Sequence, residues 1–180
     1  MCAMSRRPPP QSTADLFGVL EREHHAIRAV LEHALGMIDE DPEGARVLVV
    51  EVRAQLLAHA HAEERSLYLE LERSEKTGDQ AHEAREEHGV IEILLEELAE
   101  ALVVDDSYRA KLKVMTDIFD HHVDQEEQAM FPKARTVLGA RLEAVTQAFQ
   151  AEKERELARL TAELDDDDDD LDDDVPPRGR

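Results

Sequence analysis

Two stretches, HAHAEERSLY (59–68) and HVDQEEQAMF (122–131), each place a histidine four residues ahead of a glutamate. Four residues is close to one helical turn, so His59 and Glu63 share a face if the segment is helical, as do His122 and Glu126. An imidazole nitrogen beside a carboxylate oxygen is a donor pair for iron or manganese, and the lack of thiolates argues against structural zinc. Two further stretches, REHHAIRAVL (22–31) and EEHGVIEILL (86–95), align with each other and supply His24 and His88. The offsets between the paired stretches are 64 and 63 residues, so a helix hairpin is written twice, with chemistry in both copies.

These residues need elements to hold them. Four long segments repeat apolar residues at spacings of three and four, and none alternates as a strand does. The first runs from about Ala14 to Asp39, with Ser12 or Thr13 as N-cap. The second starts at Asp41-Pro42-Glu43, a cap followed by proline at the first helical position, and reaches about Arg73. The third lies between Asp79 and Val104, and the fourth runs from Asp106 or Ser107 to about Arg135. The short connections predict an all-α, up-down-up-down four-helix bundle. A fifth amphipathic segment, Ala140 to Leu164, adds a C-terminal helix outside the bundle or extending from it.

In each of the four helices one histidine falls on the apolar stripe. At about 1.5 Å of rise per residue, His24 and His88 lie roughly 15 and 14 Å above the bottom of the bundle, and His59 and His122 roughly 14 and 16 Å. Helical patterning alone does not require four imidazoles in one layer. Two ionised carboxylates facing a bundle core would cost several kcal/mol each if unpaired, and no Lys or Arg occupies the stripes beside them. A pair of bound cations resolves the conflict. Four imidazole nitrogens and two bridging carboxylates give each of two metals four donors, which leaves octahedral iron about two open positions. His25, His33, His61, His82 and His121 lie off the stripes and read as surface or supporting groups, with His61 and His121 the first candidates for an exception.

Composition narrows the setting. The net charge is −22; charged residues make up 36% of the chain and aromatics 3%, with no Trp. A core of Leu, Val, Ile and Ala suits helices packed on helices. The acidic balance argues against a nucleic-acid backbone or an anionic membrane as partner. Residues 165–174 hold nine Asp and read as part of a disordered acidic tail. Cys2 is the single cysteine, which fits a reducing cytosol. Arg6-Arg7 lead into prolines rather than an apolar stretch, and no run approaches the ~18 apolar residues of a membrane helix. A cytoplasmic protein is expected. Its parts are a disordered segment at 1–12, a bundle at 13–136, a C-terminal helix at 137–164 and the tail at 165–180.

The ordered pattern of His, H-x3-E, His, then H-x3-E followed by E-x3-F-P, over residues 14–135, resembles the hemerythrin-like HHE cation-binding family. The resemblance implies a four-helix bundle with a non-haem di-iron centre carried by His24, His59, Glu63, His88, His122 and Glu126. It also implies two iron ions per chain and dioxygen or hydrogen peroxide as the small ligand. Oxygen-carrying members have a further histidine one turn from the third-helix ligand, where the neighbouring turns here offer Ala84 and Glu92. Their fourth-helix carboxylate lies five residues after its histidine, which makes Glu127 a rival to Glu126. The missing histidine leaves a more symmetric and open site. That favours peroxide or oxygen chemistry, catalase-like turnover included, or iron sensing, over simple oxygen carriage. A non-enzymatic iron or oxygen sensor and a bundle with vestigial ligands are the alternatives.

Overall fold

The computed structural model describes residues 15–169, which are helical apart from short connections and contain no strand. Helix α1 is Leu16–Met37. Helix α2 spans 42–71: an α-helical run Pro42–Glu63, a π-helical turn Glu64–Tyr68 and a last turn Leu69–Leu71. Helix α3 is Gly78–Ala99. Helix α4 spans 106–138 and repeats the plan of α2, with Asp106–Gln125, a π-turn Glu126–Met130 and Phe131–Leu138. Helix α5, Leu142–Asp169, follows a 3-10 turn, Gly139–Arg141.

Local sequence explains the boundaries. The Asp41 carboxylate accepts from the Gly44 N–H at 2.9 Å, and Asp105 accepts from the Tyr108 N–H at 2.9 Å, each satisfying a free donor of the first turn. Asp15 precedes α1 without a capping bond, because its carboxylate is taken by Arg135. Ser12 and Thr13, the expected caps, lie outside the described residues. Gly139 has φ +51°, a conformation that glycine adopts without a side-chain clash, and there the chain leaves α4 for α5. Helix α3 ends five residues before the expected Val104, and the apolar residues beyond it, Leu102 and Val103, are exposed.

Each of the four bundle helices packs on its neighbours in sequence, and α1 closes the ring against α4. Helix α5 lies against α2. One apolar cluster contains Ile27, Leu31, Val49, Leu56, Ile91, Leu95, Leu112 and Met115. A second contains Leu16, Phe17, Leu20, Leu67, Tyr68, Met130, Phe131, Val145 and Phe149. The stripes that make these clusters pass through His24, His59, His88 and His122, so the polar layer sits between two apolar ones. Helix α5 continues to Asp169, five residues past the expected boundary at 164, since each residue added to an established helix closes another backbone bond. Residues 170–180 of the expected tail and the expected disordered segment at 1–12 lie outside the described residues.

Candidate metal centre

The apolar periodicity of α1 to α4 turns four imidazoles to the bundle axis, where all are buried. The Nε2 atoms of His24 and His59 are 3.0 Å apart, and those of His88 and His122 are also 3.0 Å apart. Glu63 and Glu126 are fully buried between these pairs. Glu63 Oε2 lies 3.3 Å from His59 Nε2 and 3.7 Å from His88 Nε2. Glu126 Oε2 lies 3.3 Å from His24 Nε2 and 3.6 Å from His122 Nε2. Each carboxylate therefore reaches one histidine of either pair.

The outer faces of the rings explain why the inner nitrogens point as they do. His24 Nδ1 meets Glu127 at 2.9 Å, His59 Nδ1 meets Glu23 at 2.9 Å, His88 Nδ1 meets Glu64 at 3.2 Å, and His122 Nδ1 meets Glu87 at 3.0 Å. An ionised carboxylate can only accept, so each Nδ1 carries the proton and donates it. With the proton fixed on Nδ1, each Nε2 faces the axis and can offer a lone pair there once any second proton has left. Sequence reading missed this role for all four glutamates, and of them it named only Glu127, as a rival ligand to Glu126. The signal was present: Glu23-His24 repeats as Glu87-His88, and Glu63-Glu64 repeats as Glu126-Glu127.

The π-turns follow directly on Glu63 and Glu126. Their wider bonding lets the residue five positions on return towards the axis, which brings Tyr68 and Phe131 onto the rings. Tyr68 stacks on His88 at 5.4 Å between centroids, and Phe131 stacks on His24 at 6.1 Å. Pro132 follows the second π-turn, but its counterpart is Leu69, so proline fits this distortion and does not cause it. Tyr68 also donates its hydroxyl to Glu126 Oε1 at 2.6 Å. Burial, with Glu126 and Glu63 close by, pushes its phenol well above the usual range, so it acts as a donor.

Among protein groups alone the layer is electrostatically tense. Burial opposes charge on His59, but Glu63 and Glu23 outweigh it and raise the imidazolium to about 10. His122 is raised in the same way, against burial, chiefly by Glu126. His88 is pushed well down, by burial first and then by the neighbouring His122. Burial acts to raise Glu126, but His122 and His24 pull it below the usual carboxylate range. Both oxygens of Glu63 and Oε2 of Glu126 have no hydrogen-bond partner. Buried carboxylate oxygens rarely stay so.

A cation fits that deficit. His24, His59 and Glu63 bring donor atoms within 4.8 Å of one another, and so do Glu63, His88 and His122. The two trios share Glu63, and their donors are nitrogen and oxygen only, a set suited to iron or manganese. Glu126 faces both pairs from the other side. Its rival Glu127 lies on the outer side of the His24 ring.

The off-stripe histidines stay outside the layer. His25, His33 and His82 are exposed, His61 meets Glu156 at 2.7 Å, and His121 is exposed with Nε2 3.6 Å from Glu87. A small cavity of about 10 Å³ reaches the layer from the α3–α4 side, lined by residues that include Gln80, Ala84, Gln125, His122 and Glu126. On the α2 side, Phe149 of α5 closes over His59 edge-on at 6.2 Å.

No curated protein and no solved structure matches this chain. The hemerythrin HHE cation binding domain matches residues 15–134, which hold all four buried histidines and both buried glutamates. With that match covering more than half of its length, the chain belongs to the hemerythrin HHE cation-binding domain family.

Proposed function

We propose that this chain is a non-haem di-iron protein that binds or turns over dioxygen or peroxide inside the bundle. His24, His59, Glu63, His88, His122 and Glu126 hold two iron ions. The observation that carries this reading is the placement of two buried carboxylates, each reaching both histidine pairs, with oxygens that no protein group satisfies. Bound iron would supply a redox couple and a Lewis acid for a small oxygen species.

The chain's own groups do the rest. The four Nε2 lone pairs bind, while Glu23, Glu64, Glu87 and Glu127 hold the Nδ1 protons and fix the ring planes. Glu63 and Glu126 set the spacing between the two positions, and Tyr68 pins one oxygen of Glu126. The apolar clusters on either side keep bulk water from the layer. Ala84 stands one turn from His88 and lines the small cavity, so space takes the place of another ligand there. A cavity of that size admits about one water-sized molecule, which suits a diatomic or a peroxide.

Anaerobic loading with Fe(II), followed by elemental analysis and a near-UV spectrum on oxidation, tests the reading. Two irons per chain and charge-transfer bands are expected. Stoichiometric zinc with no iron uptake overturns it. Peroxide turnover by the loaded protein supports catalase-like activity. Its absence, with iron retained, favours the sensor, a reading supported by the unpartnered oxygens of Glu63, which tie stability to metal occupancy.

The same proposal takes the bundle as up-down-up-down. Ion pairs of Asp39 with Arg109 and of Asp15 with Arg135 support opposite directions for α1 and α4. A bundle domain at 13–136 with a C-terminal helix attached is part of it. The cytoplasmic setting rests on the single Cys2; among the described residues no helix is long and apolar enough to cross a membrane.

A further inference from the structure

Each histidine pair owes one of its outer glutamates' orientation to a fixed cation. In the His88–His122 pair, Glu64 faces His88 with Oε1 and takes Arg85 at 2.7 Å on Oε2. In the His24–His59 pair, Glu23 faces His59 with Oε2 and takes Lys153 at 2.6 Å on Oε1. The other two outer glutamates are held less firmly: Glu127 is 31% exposed, and the second oxygen of Glu87 faces the exposed His121.

The two cations come from different places. Arg85 lies on α3, within the residues that match the family. Its counterpart across the duplication is Glu21, an exposed acid that cannot serve. Lys153 lies on α5, beyond residue 134, and Phe149 one turn earlier meets His59 edge-on.

We infer that α5 completes the metal centre, with Lys153 acting through Glu23 as the positioning residue for His59. The four-helix bundle builds one anchored pair by itself, through Arg85, and borrows the second anchor from the C-terminal helix. This role presupposes that the six inner residues hold metal. Lys153 locks both Glu23 oxygens into one rotamer and so keeps the His59 Nδ1 proton bonded and its Nε2 aimed at the axis. Docking of α5 does not depend on Lys153, because Val145, Phe149 and Leu160 are buried and Glu156 bonds His61 and Arg65.

The test uses the full chain titrated with cobalt(II). Visible absorption follows binding, and proton NMR follows the four exchangeable, hyperfine-shifted ring N–H signals. Hydrogen exchange over residues 142–160 checks that α5 stays docked. Lys153→Met is expected to weaken one of two cobalt equivalents about tenfold, the lower end for loss of a supporting partner, and to broaden one ring N–H signal by exchange with water. Lys153→Arg restores both, and Arg85→Met disturbs a different signal. If Lys153→Met leaves both binding steps and all four signals unchanged, or weakens both steps equally, the positioning role is overturned while the metal reading stands. A parent chain that takes up no cobalt overturns both.

Discussion

Tyr68 donates to Glu126 at 2.6 Å, and its counterpart across the duplication is Phe131, which has no hydroxyl to offer Glu63. The two inner carboxylates are therefore unequal: Glu126 has one bonded oxygen, and Glu63 has none. In protein stripped of metal and held above about pH 10, where His59 is neutral and leaves Glu63 unpaired, Glu63→Gln should raise the melting temperature by an equivalent of about 1–3 kcal/mol. Glu126→Gln should gain less, since it disturbs the bond to Tyr68. Calorimetry of both variants against the stripped parent decides; an equal gain for the two contradicts the asymmetry.

Neighbouring histidines should behave in opposite ways. His122 is buried in the layer, whereas His121 is exposed and faces the outer glutamate Glu87. His122→Ala is expected to lose the two-metal site and its spectrum, and His121→Ala to keep both metals. Metal content of the two purified variants measures this, and the reverse result would mean that the register of α4 is wrong.

Acidity gives a third expectation. His59 is raised to about 10 from an ordinary 6.5, against burial, by Glu63 and Glu23. A raised imidazolium stabilises the fold fully below its unfolded value of 6.5 and loses that contribution as pH rises through the folded value near 10. Chelator-treated protein should therefore melt at lower temperature as pH climbs across that window, and His59→Gln should flatten the slope. The same protons must leave when metal binds, so loading in weak buffer should release acid. A pH-stat that registers no proton release would contradict the assignment.

Helix α5 has its own pH limit. Glu156 is held down to about 2 by Arg159 first, with Arg65 and His61, against burial. A depressed carboxylate contributes fully above its ordinary 4.5 and loses that contribution as pH falls through about 2. Hydrogen exchange over residues 142–160 should therefore accelerate at low pH, and Glu156→Gln should bring that acceleration to neutral pH. Phe149→Ala should destabilise the protein by about 3–5 kcal/mol, as expected for a fully buried aromatic. A surface-like loss after Phe149→Ala would show that α5 is only loosely attached.

The inner layer was legible because it breaks a pattern. A histidine or glutamate on an apolar stripe stands out, and helical rise converts position into height, so His24, His59, His88 and His122 could be placed at one level from their numbers. The outer glutamates gave no such signal, since Glu23 or Glu87 on a helix flank looks like any solvated acid in a chain with 43 acidic residues. Only the repeat marks them. The π-turns were hidden because no residue type specifies them: Pro132 accompanies one and Leu69 the other. The contact of Lys153 with Glu23 joins positions 130 residues apart, and local periodicity carries no such information.

The exchange of glutamates across the duplication has a consequence for the integrity of the chain. Glu64, from the first hairpin, orients His88 of the second, and Glu127, from the second, orients His24 of the first. Glu63 and Glu126 cross the same seam to His88 and His24. Neither hairpin owns a whole set of candidate donors, so a bound metal would act as a rivet between them. A chain nicked in the connection between α2 and α3 should hold together when loaded and come apart more readily on chelation. Native mass spectrometry of the nicked protein would record that difference.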